Sequence, residues 1–244
     1  MKKLILGAAI AVMSVGVAFA DSVRMGTEGA YPPYNFIDDN GEIVGFERDL
    51  GDELCKRAGL ECTWVKNDWD SIIPNLVSGN YDTIIAGMSI TAERDEVIDF
   101  TQEYKPADPS AYLAMAGSDE SAAAGVVAAQ VNTIQAGYVA NSDATLVELA
   151  TPDETIAAVK SGEADAVLAD YSYLAPIVAE SNGELILLEP RPFIGGGVGM
   201  GIRESDTELK DKMNAAITSM KEDGSLNALL AKWFPEETAI HSAY

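Results

Sequence analysis

Side chains that could hold a charged small molecule stand out in this sequence. Arg94, in the run SITAER, follows an apolar segment and lies at the start of a short predicted helical stretch. Its guanidinium could bind a carboxylate through two parallel hydrogen bonds, helped by the N–H groups of the helix start. The alternative is a surface ion pair with Glu93 or Glu96, a common pairing that contributes little to stability.

Three further side chains have the chemistry of a ligand-binding site. Asp170 ends the apolar run DAVLAD, and a carboxylate at the end of a buried strand needs a partner. A ligand ammonium would serve, and so would a neighbouring hydroxyl or backbone amide. Tyr31 and Trp69 lie in predicted loops, where aromatic rings can stack on a flat or cationic group. Such rings more often close a hydrophobic core, so both interpretations remain open here.

Signatures of catalysis are scarce. The sequence has no G-x-S-x-G, P-loop, H-E-x-x-H or dinucleotide-binding glycine motif after a strand. The run GGGVG (195–199) precedes a predicted strand and suits a flexible crossing between lobes better than a phosphate site. The sole histidine is His241, near the C-terminus, which nearly excludes Ser-His and Cys-His mechanisms. We therefore predict no catalytic residue, no metal site and no cofactor.

The first twenty residues have the pattern of a signal peptide. Lys2 and Lys3 precede an apolar run, and Ala18-Phe19-Ala20 supplies small residues that suit cleavage before Asp21. A transmembrane anchor is the alternative, but the run is short and no second apolar segment follows it. We expect an exported protein that is cleaved after Ala20.

The charge and the cysteines limit the partners of the exported chain. Without Lys2 and Lys3 the formal charge changes from −23 to −25, which argues against nucleic acid and anionic lipid as partners. Cys55 and Cys62 are the only cysteines, and an even pair at short spacing in an exported protein indicates a disulfide. It would join the end of a helix to the next strand.

The elements that must position these side chains alternate between strands and helices, which indicates an α/β fold. Two helices are predicted to begin with capping boxes, at Thr151–Glu154 and Ser205–Glu208. The strand candidates are 23–27, 61–65, 82–88, 126–130, 164–169, 184–188 and 198–203. The helix candidates are 46–58, 70–78, the two segments that follow the capping boxes, and 225–234.

An internal similarity links two parts of the chain. The segment IIPNLVSGNYDTIIAG (72–87) aligns without a gap on TIAAVKSGEADAVLAD (155–170). Both predict a helix, a Ser-Gly break and then a strand, which indicates two similar α/β lobes. Ligands bind outside the carboxyl ends of strands in open α/β sheets. We therefore expect Ala86-Gly87 and Asp170 to border a common cleft.

Three long runs carry a resemblance to a known family. RMGTEGAYPPYNF…NGEIVGFERDL, DWDSIIPNLVSGNYDTIIAGMSITAER and DFTQEY resemble the periplasmic polar-amino-acid-binding proteins of ABC transporters, most of all their lysine/arginine/ornithine and arginine binders. The resemblance implies a two-lobed periplasmic-binding-protein fold with two hinge crossings and the ligand cleft between the lobes. It places lobe one at 21–108 and 196–244, and lobe two at 109–195. The Cys55–Cys62 loop matches that of the basic amino-acid binders.

The resemblance also implies a role for each matching residue. Tyr31 and Trp69 would sandwich the ligand side chain. Arg94 would bind the α-carboxylate, and Asp170 would bind the α-ammonium from lobe two. The remaining implied ligand-binding residues are Glu28 near the far end of the side chain, Gly87 and Ser89 on the lobe-one wall, and Thr133, Ile134 and Gln135 in lobe two.

Two departures from the family pattern affect these expectations. The family usually has glycine before the threonine of the lobe-two loop, where this sequence has Asn132. Ala86 and Gly87 stand where the lysine/arginine/ornithine binders often carry serines, so side-chain hydroxyls are missing on that wall.

The sequence therefore predicts a monomeric periplasmic receptor that captures an amino acid and delivers it to a membrane ABC permease. A basic amino acid (arginine, lysine or ornithine) is the first expectation, because Glu28 lies beside Tyr31 and no lysine or arginine lies in TEGAYPPY or IIAGMS. The alternatives are a binder of a neutral polar amino acid such as glutamine or histidine, a periplasmic dehydratase on the same fold, and the sensor module of a receptor.

Overall fold

The computed structural model describes residues 22–244, so the predicted signal peptide lies outside the described residues. In chain order the strands are β1 (Ser22–Thr27), β2 (Ala30–Tyr31), β3 (Asn35–Ile37), β4 (Ile43–Val44), β5 (Glu61–Lys66), β6 (Thr83–Ile84), β7 (Asp99–Phe100), β8 (Ser110–Met115), β9 (Val126–Gln130), β10 (Thr145–Leu149), β11 (Ala166–Asp170), β12 (Leu185–Leu188) and β13 (Gly201–Ile202). The α-helices are α1 (Phe46–Ala58), α2 (Ile72–Val77), α3 (Ala92–Asp95), α4 (Ile134–Ala140), α5 (Pro152–Ser161), α6 (Tyr171–Glu180), α7 (Thr207–Glu222) and α8 (Ser225–Trp233). Short 3-10 helices cover Trp69–Ser71, Glu120–Ala124 and Thr238–Ile240. Among the described residues, no helix has both the length and the apolar character needed to span a bilayer.

Two five-stranded sheets organise the molecule. The first has the order β5-β1-β6-β13-β7, and the second has the order β10-β9-β11-β8-β12. We call the first sheet, the small sheet β2-β3-β4 and helices α1, α2, α3, α7 and α8 the first lobe, and the second sheet with α4, α5 and α6 the second lobe. Strand β1 pairs in parallel with both β5 and β6, and β9 pairs in parallel with β10 and β11. Helices connect these parallel strands, as the alternating sequence pattern predicts.

The chain passes between the sheets twice. It leaves the first sheet after β7 and enters the second at β8, and it returns between β12 and β13. The two connections contact each other, because the Val198 N–H donates to the Lys105 carbonyl at 2.9 Å. The boundaries predicted at 108/109 and 195/196 lie within these connections, and their placement stays a prediction.

Each sheet is covered by apolar side chains of its helices. In the first lobe, α1, α7 and α8 pack on one face of the sheet through residues such as Leu50, Met213 and Leu226, while α2 packs on the other. The apolar face predicted for α7 is confirmed, with Met213, Ala216, Ile217 and Met220 buried. Burial on this scale stabilises each lobe by roughly 25 cal/mol per Å² of apolar surface removed from water.

The predicted disulfide is present between Cys55 of α1 and Cys62 of β5, with a Cα–Cα distance of 6.2 Å. It joins the last turn of α1 to the edge strand of the first sheet, as expected. Gly59 ends α1 in the left-handed conformation between the two cysteines, so the connection turns back tightly within seven residues.

One predicted capping box is confirmed and the other is wrong. The Thr151 hydroxyl accepts from the Glu154 N–H at 3.2 Å, and the Glu154 carboxylate accepts from the Thr151 N–H at 2.9 Å. At the second site α7 begins one residue later than expected, with Asp206 at the N-cap and no side-chain cap. The Ser205 hydroxyl instead donates to the Asp206 carboxylate at 2.8 Å.

The internal similarity corresponds to equivalent structure in the two lobes. Gly79 and Gly162, which align in the sequence, follow α2 and α5 and have φ angles of 78° and 79°. The strands that come next are β6 in the first sheet and β11 in the second. The predicted strand 82–88 is shorter than expected, since only Thr83–Ile84 pairs as strand. The chain then turns at Gly87, which has a φ of 63°.

Candidate functional site

The cleft between the two lobes contains every residue that the sequence predicts to bind a ligand. The space between these residues is about 510 Å³ when the open solvent at its mouth is included. The predicted residues that line it are Glu28, Tyr31, Trp69, Gly87, Ser89, Arg94, Thr133, Ile134, Gln135 and Asp170. Their roles toward a ligand stay predictions.

Arg94 reaches the cleft from the short helix α3 of the first lobe. The Thr91 hydroxyl caps this helix by accepting from the Arg94 N–H at 3.2 Å. The guanidinium donates to the Ser89 carbonyl at 2.9 Å and to the Asn132 carbonyl of the second lobe at 3.3 Å. It lies over the Trp69 ring, 5.4 Å from the centroid. In the described part of the chain Arg94 thus contacts the cleft rather than pairing with Glu93 or Glu96.

The charge of Arg94 persists despite its burial. Burial lowers the pKa of the guanidinium to about 10, and the nearby Asp170 carboxylate opposes this decrease. A group with this pKa is cationic at neutral pH, so Arg94 offers the cleft a desolvated positive charge whose N–H donors now contact only neutral carbonyls. Such a group is suited to an anionic partner.

Asp170 faces Arg94 from the second lobe, at the end of β11. Its carboxylate accepts from the Tyr31 hydroxyl at 2.9 Å and from the Gln135 amide at 2.8 Å. Burial raises the pKa of Asp170 to about 6, and the neighbouring Asp108 carboxylate adds to the increase. Both of these hydrogen-bond donors are neutral. Among the described residues, no cation is therefore in direct contact with the carboxylate.

Glu28 supplies a second buried carboxylate, at the end of β1. Its side chain is 4% exposed, and it accepts from the Gln130 amide of the second lobe at 2.6 Å. Burial raises the pKa of Glu28 to about 7, while the bond from Gln130 lowers it. The Gln130 amide also donates to the Ala150 carbonyl at 3.1 Å. This pair joins the lobes at a different part of the cleft from Asp170.

The aromatic side chains have partners that the sequence did not indicate. The Tyr31 ring stacks on Tyr173 of α6, with centroids 4.4 Å apart and planes 17° apart. Trp69 is 8% exposed and lies under Arg94 rather than in a described contact with Tyr31. A sandwich of Tyr31 and Trp69 around a ligand side chain therefore stays a prediction.

The wall formed by Ala86 and Gly87 depends on a buried glutamate of α1. Glu47 is fully buried, and its carboxylate accepts from the Gly87 N–H at 2.6 Å and from the Asn35 amide at 2.7 Å. The left-handed φ of 63° at Gly87 disfavours a residue with a side chain. Glu47 thus holds a backbone turn whose conformation at Gly87 favours glycine.

The lobe-two loop turns in the left-handed region at Asn132, where this sequence departs from the family pattern. Asn132 has a φ of 59°, in the left-handed region where asparagine is tolerated better than most residues. Thr133 then caps α4 by accepting from the Ala136 N–H at 3.1 Å, and its hydroxyl donates to the Gln130 carbonyl at 2.7 Å. Asn132 therefore adopts a left-handed turn that glycine also favours.

Sequence reasoning missed several residues that line the cleft. Gln130 ends the correctly predicted strand 126–130. Its position as a polar residue at the end of a buried strand could have identified it, as the same position identified Asp170. Tyr173 lies in α6, which was not predicted, and no sequence signal identified it. The other lining residues without a predicted binding role are Ala86, Pro152, Thr155, Leu168 and Ala169.

Comparisons with known proteins agree in both sequence and structure. The sequence profile of the bacterial extracellular solute-binding proteins, family 3, matches residues 23–236. The "putative ABC transporter arginine-binding protein 2" of Escherichia coli K12 is 31% identical, over 96% of this chain and 99% of that protein. The lysine/arginine/ornithine-binding periplasmic protein of the same strain is also 31% identical, over 96% of this chain and 97% of that protein.

A solved structure is much more similar. The crystal structure of a periplasmic His/Glu/Gln/Arg/opine family-binding protein from Silicibacter pomeroyi, in complex with lysine, is 72% identical to this chain. The match covers 88% of this chain and 98% of that chain, with a TM-score of 0.86. The two-lobed fold with its two crossings is thus that of periplasmic binding proteins.

Proposed function

This chain belongs to the bacterial extracellular solute-binding proteins, family 3, and on that premise we propose that it is a periplasmic receptor for a basic amino acid. It captures arginine, lysine or ornithine between its lobes and delivers the ligand to the permease of an ABC transporter. We further propose that it acts as a monomer after cleavage behind Ala20. The names of its relatives and the lysine in the Silicibacter pomeroyi structure support this assignment.

The observation that carries the proposal is the arrangement of opposite charges around one cleft. Arg94 from the first lobe suits an α-carboxylate, and Asp170 from the second lobe suits an α-ammonium. Because the two groups come from different lobes, a ligand with both charges would bind them together and favour closure. Neither charge has an ion-pair partner in direct contact within residues 22–244, so each gains most from a charged ligand.

The preference for a basic side chain rests on Glu28. Its buried carboxylate lines the cleft, where Arg94 is the one basic side chain among the described lining residues. A cationic side-chain end would pair with Glu28, and the rings of Tyr31 and Trp69 would add a cation–π contact of about 0.5–2 kcal/mol. An acidic side chain would instead meet a like charge.

Ligand binding would replace contacts that now join the lobes directly. The Tyr31 hydroxyl bonds Asp170, the Gln130 amide bonds Glu28, and Arg94 bonds the Asn132 carbonyl. An α-ammonium, a cationic side chain and an α-carboxylate can take over one partner of each contact. The cleft therefore offers three polar anchor points, one for each charged group of a basic amino acid.

A competition titration tests the proposal. Arginine, lysine, glutamine and glutamate are titrated into the purified ligand-free protein by calorimetry, and the series is repeated with Glu28→Gln. We expect arginine or lysine to bind more tightly than glutamine and glutamate, and the variant to lose most of that preference. Tighter binding of glutamine than of arginine, or unchanged arginine affinity in the variant, would contradict the basic preference.

A neutral polar amino acid is the second candidate, and Gln130 favours it. The Gln130 amide contacts Glu28, so a donor and an acceptor lie side by side where a ligand amide could bond both. Glutamine or histidine would then exceed lysine in the same titration.

A dehydratase on this fold is the alternative from another class. We infer a receptor rather than an enzyme, because the matching family consists of solute-binding proteins and the relatives named above are binding proteins. Turnover of cyclohexadienyl acids by the purified protein would overturn this inference.

A further inference from the structure

A cluster of buried charges lies at the first connection between the lobes. We call Lys105, Asp108 and Glu237 the hinge cluster. Lys105 is fully buried, and its ammonium lies 3.1 Å from the Glu237 carboxylate and 4.0 Å from that of Asp108. The ammonium also lies 4.8 Å from the centre of the Phe234 ring. The Glu237 carboxylate and the nearby Asp108 carboxylate offset part of the cost of burying the Lys105 charge, while one oxygen each of Asp108 and Glu237 lacks a hydrogen-bond partner among the described residues.

The Asp108 carboxylate extends from this cluster into the second lobe. One of its oxygens accepts from the Ser172 N–H at 3.0 Å, in the first turn of α6. The preceding N–H of this helix, from Tyr171, donates to the Pro109 carbonyl at 2.9 Å. The first two N–H groups of α6 are therefore bound by the first connection rather than by the residue at the N-cap of the helix.

That N-cap residue is Asp170, and its side chain makes no capping bond. An aspartate at an N-cap ordinarily bonds the N–H groups of its own helix. Here Asp108 occupies the Ser172 N–H, and the Asp170 carboxylate turns toward the cleft, where Tyr31 and Gln135 bond it.

We propose that Asp108 is the positioning residue for Asp170: by capping α6 from the hinge cluster, it keeps the Asp170 carboxylate available to the ligand. The inference rests on the proposed function, in which Asp170 binds the α-ammonium. In this proposal the hinge cluster links the first connection to Asp170, the ammonium-binding residue. Lys105 and Glu237 act only through Asp108, and Asp108 itself does not touch the ligand.

The electrostatics of the site agree with this coupling. The Asp108 carboxylate raises the pKa of Asp170, and the Lys105 ammonium lowers it, so the two carboxylates lie close enough to interact through space. The Ser172 hydroxyl also donates to the Tyr34 hydroxyl at 3.1 Å, which ties the start of α6 to the first lobe as well. The start of α6 is thus held from two sides.

The test compares two ligands in variants of Asp108. Arginine and its α-hydroxy analogue, in which a hydroxyl replaces the ammonium, are titrated by calorimetry into the parent protein, Asp108→Ala and Asp108→Asn. We expect Asp108→Ala to reduce the ratio of the two affinities by about tenfold, the factor for losing one bond to a charged group. Asp108→Asn keeps an acceptor for the Ser172 N–H and should retain most of the ratio.

A matched control separates this effect from a general loss of stability. Asp119 accepts from the Ser121 N–H at 2.9 Å at the start of a 3-10 helix in the same lobe, away from the cleft. Asp119→Ala removes the same kind of bond and should leave the affinity ratio unchanged. An equal loss for both ligands in Asp108→Ala would mean a structural role only and would overturn the inference.

A second pair of variants removes the same bond from the other side. Ser172→Pro lacks the N–H and is compatible with the first turn of a helix, whereas Ser172→Ala keeps the N–H and loses only the hydroxyl. Both variants lose the hydroxyl bond to Tyr34, so the difference between them isolates the N–H. We expect the ratio to fall clearly further in Ser172→Pro than in Ser172→Ala, even where Asp108→Ala does not fold, and an equal ratio in the two variants would overturn the inference. A parent protein that binds no basic amino acid would instead reject the proposed function, which is a distinguishable outcome.

Discussion

At the scale of single residues, the cleft contains charged groups that have no ion-pair partner in direct contact among the described residues. Arg94 and Asp170 lie in different lobes and are bonded only to neutral groups. Glu28 is bonded to an amide. Burying a charged group without a counter-ion costs free energy unless its protonation state changes. The shifted pKa values of these groups reflect that cost. Perturbed groups of this kind cluster at functional sites.

Replacing Arg94 provides the most direct test at this scale. Arg94→Ala should abolish amino-acid binding and leave the fold intact, because a ligand carboxylate would be buried without its partner, at a cost on the order of 2–5 kcal/mol. Arg48→Ala is the matched control, since Arg48 forms an exposed ion pair with Asp52 on α1. Calorimetric titration measures both, and near-parental affinity in Arg94→Ala would place the carboxylate site elsewhere.

The two buried carboxylates should make binding dependent on pH. The pKa values of Glu28 and Asp170 are raised to about 7 and about 6. As pH falls through these values each group takes up a proton and can no longer pair with a cation, while arginine keeps its own charges. The affinity for arginine should therefore fall by up to about tenfold per pH unit below pH 7, and more steeply below pH 6.

Glu28→Gln separates the two carboxylates in this experiment. The variant cannot titrate at position 28, so its affinity, although weaker, should stay level until Asp170 is protonated near pH 6. Titrations between pH 5.5 and pH 8 measure both profiles. A parent profile that is flat above pH 6 would show that Glu28 does not pair with the ligand.

Sequence analysis found the cleft residues whose role depends on their neighbours in the sequence, and it missed those whose role depends on distant contacts. Asp170 was singled out because a carboxylate at the end of an apolar strand needs a partner, and Arg94 because a guanidinium at a helix start suits a carboxylate. Both arguments depend on a few neighbouring positions, and the family resemblance then implied the two roles. Tyr173 was missed because its importance comes from stacking on Tyr31, more than a hundred positions away. Such a contact depends on how the lobes meet, which no local pattern encodes.

At the scale of elements, the long helices and the buried strands β1, β9 and β11 were predicted close to their observed positions, whereas β8, β10, α4 and α6 were missed. Helix α1 was predicted with its observed bounds, since Gly59 ends it. Strand β8 was missed although it pairs with both β11 and β12. Its sequence SAYLAM is rich in good helix formers, and burial on both sides favoured the strand despite this preference. Helix α6 was missed because Pro176 lies within it.

The two predicted capping boxes allow a matched test at this scale. Thr151→Ala should lower the free energy of unfolding by about 1 kcal/mol, because α5 loses its side-chain cap. Ser205→Ala should change it by less than about 0.5 kcal/mol, since Ser205 bonds Asp206 and not a helix N–H. Urea unfolding of both variants measures the difference. Equal destabilisation would mean that Ser205 caps α7 in solution.

At the scale of the whole molecule, the two lobes meet through contacts that a ligand would replace. The Tyr31–Asp170, Gln130–Glu28 and Arg94–Asn132 bonds each join the two lobes, and each pairs a charged group with a neutral group of the other lobe. A basic amino acid would supply opposite charges at these points. Its binding should therefore stabilise both lobes together, because each lobe holds part of the same ligand.

Thermal unfolding measures this coupling between the lobes. At a concentration of about 100 times its Kd, a ligand that binds only the folded protein adds roughly 2.7 kcal/mol of stability. For a protein of this size about 1 kcal/mol corresponds to a shift of roughly 2–4 °C in Tm, so arginine should raise Tm by about 5–11 °C. Glutamate at the same concentration is the control and should raise it far less. Since Arg94 and Asp170 belong to different lobes, the arginine complex should also unfold in one transition, and two transitions with only one of them shifted would show that the ligand contacts a single lobe.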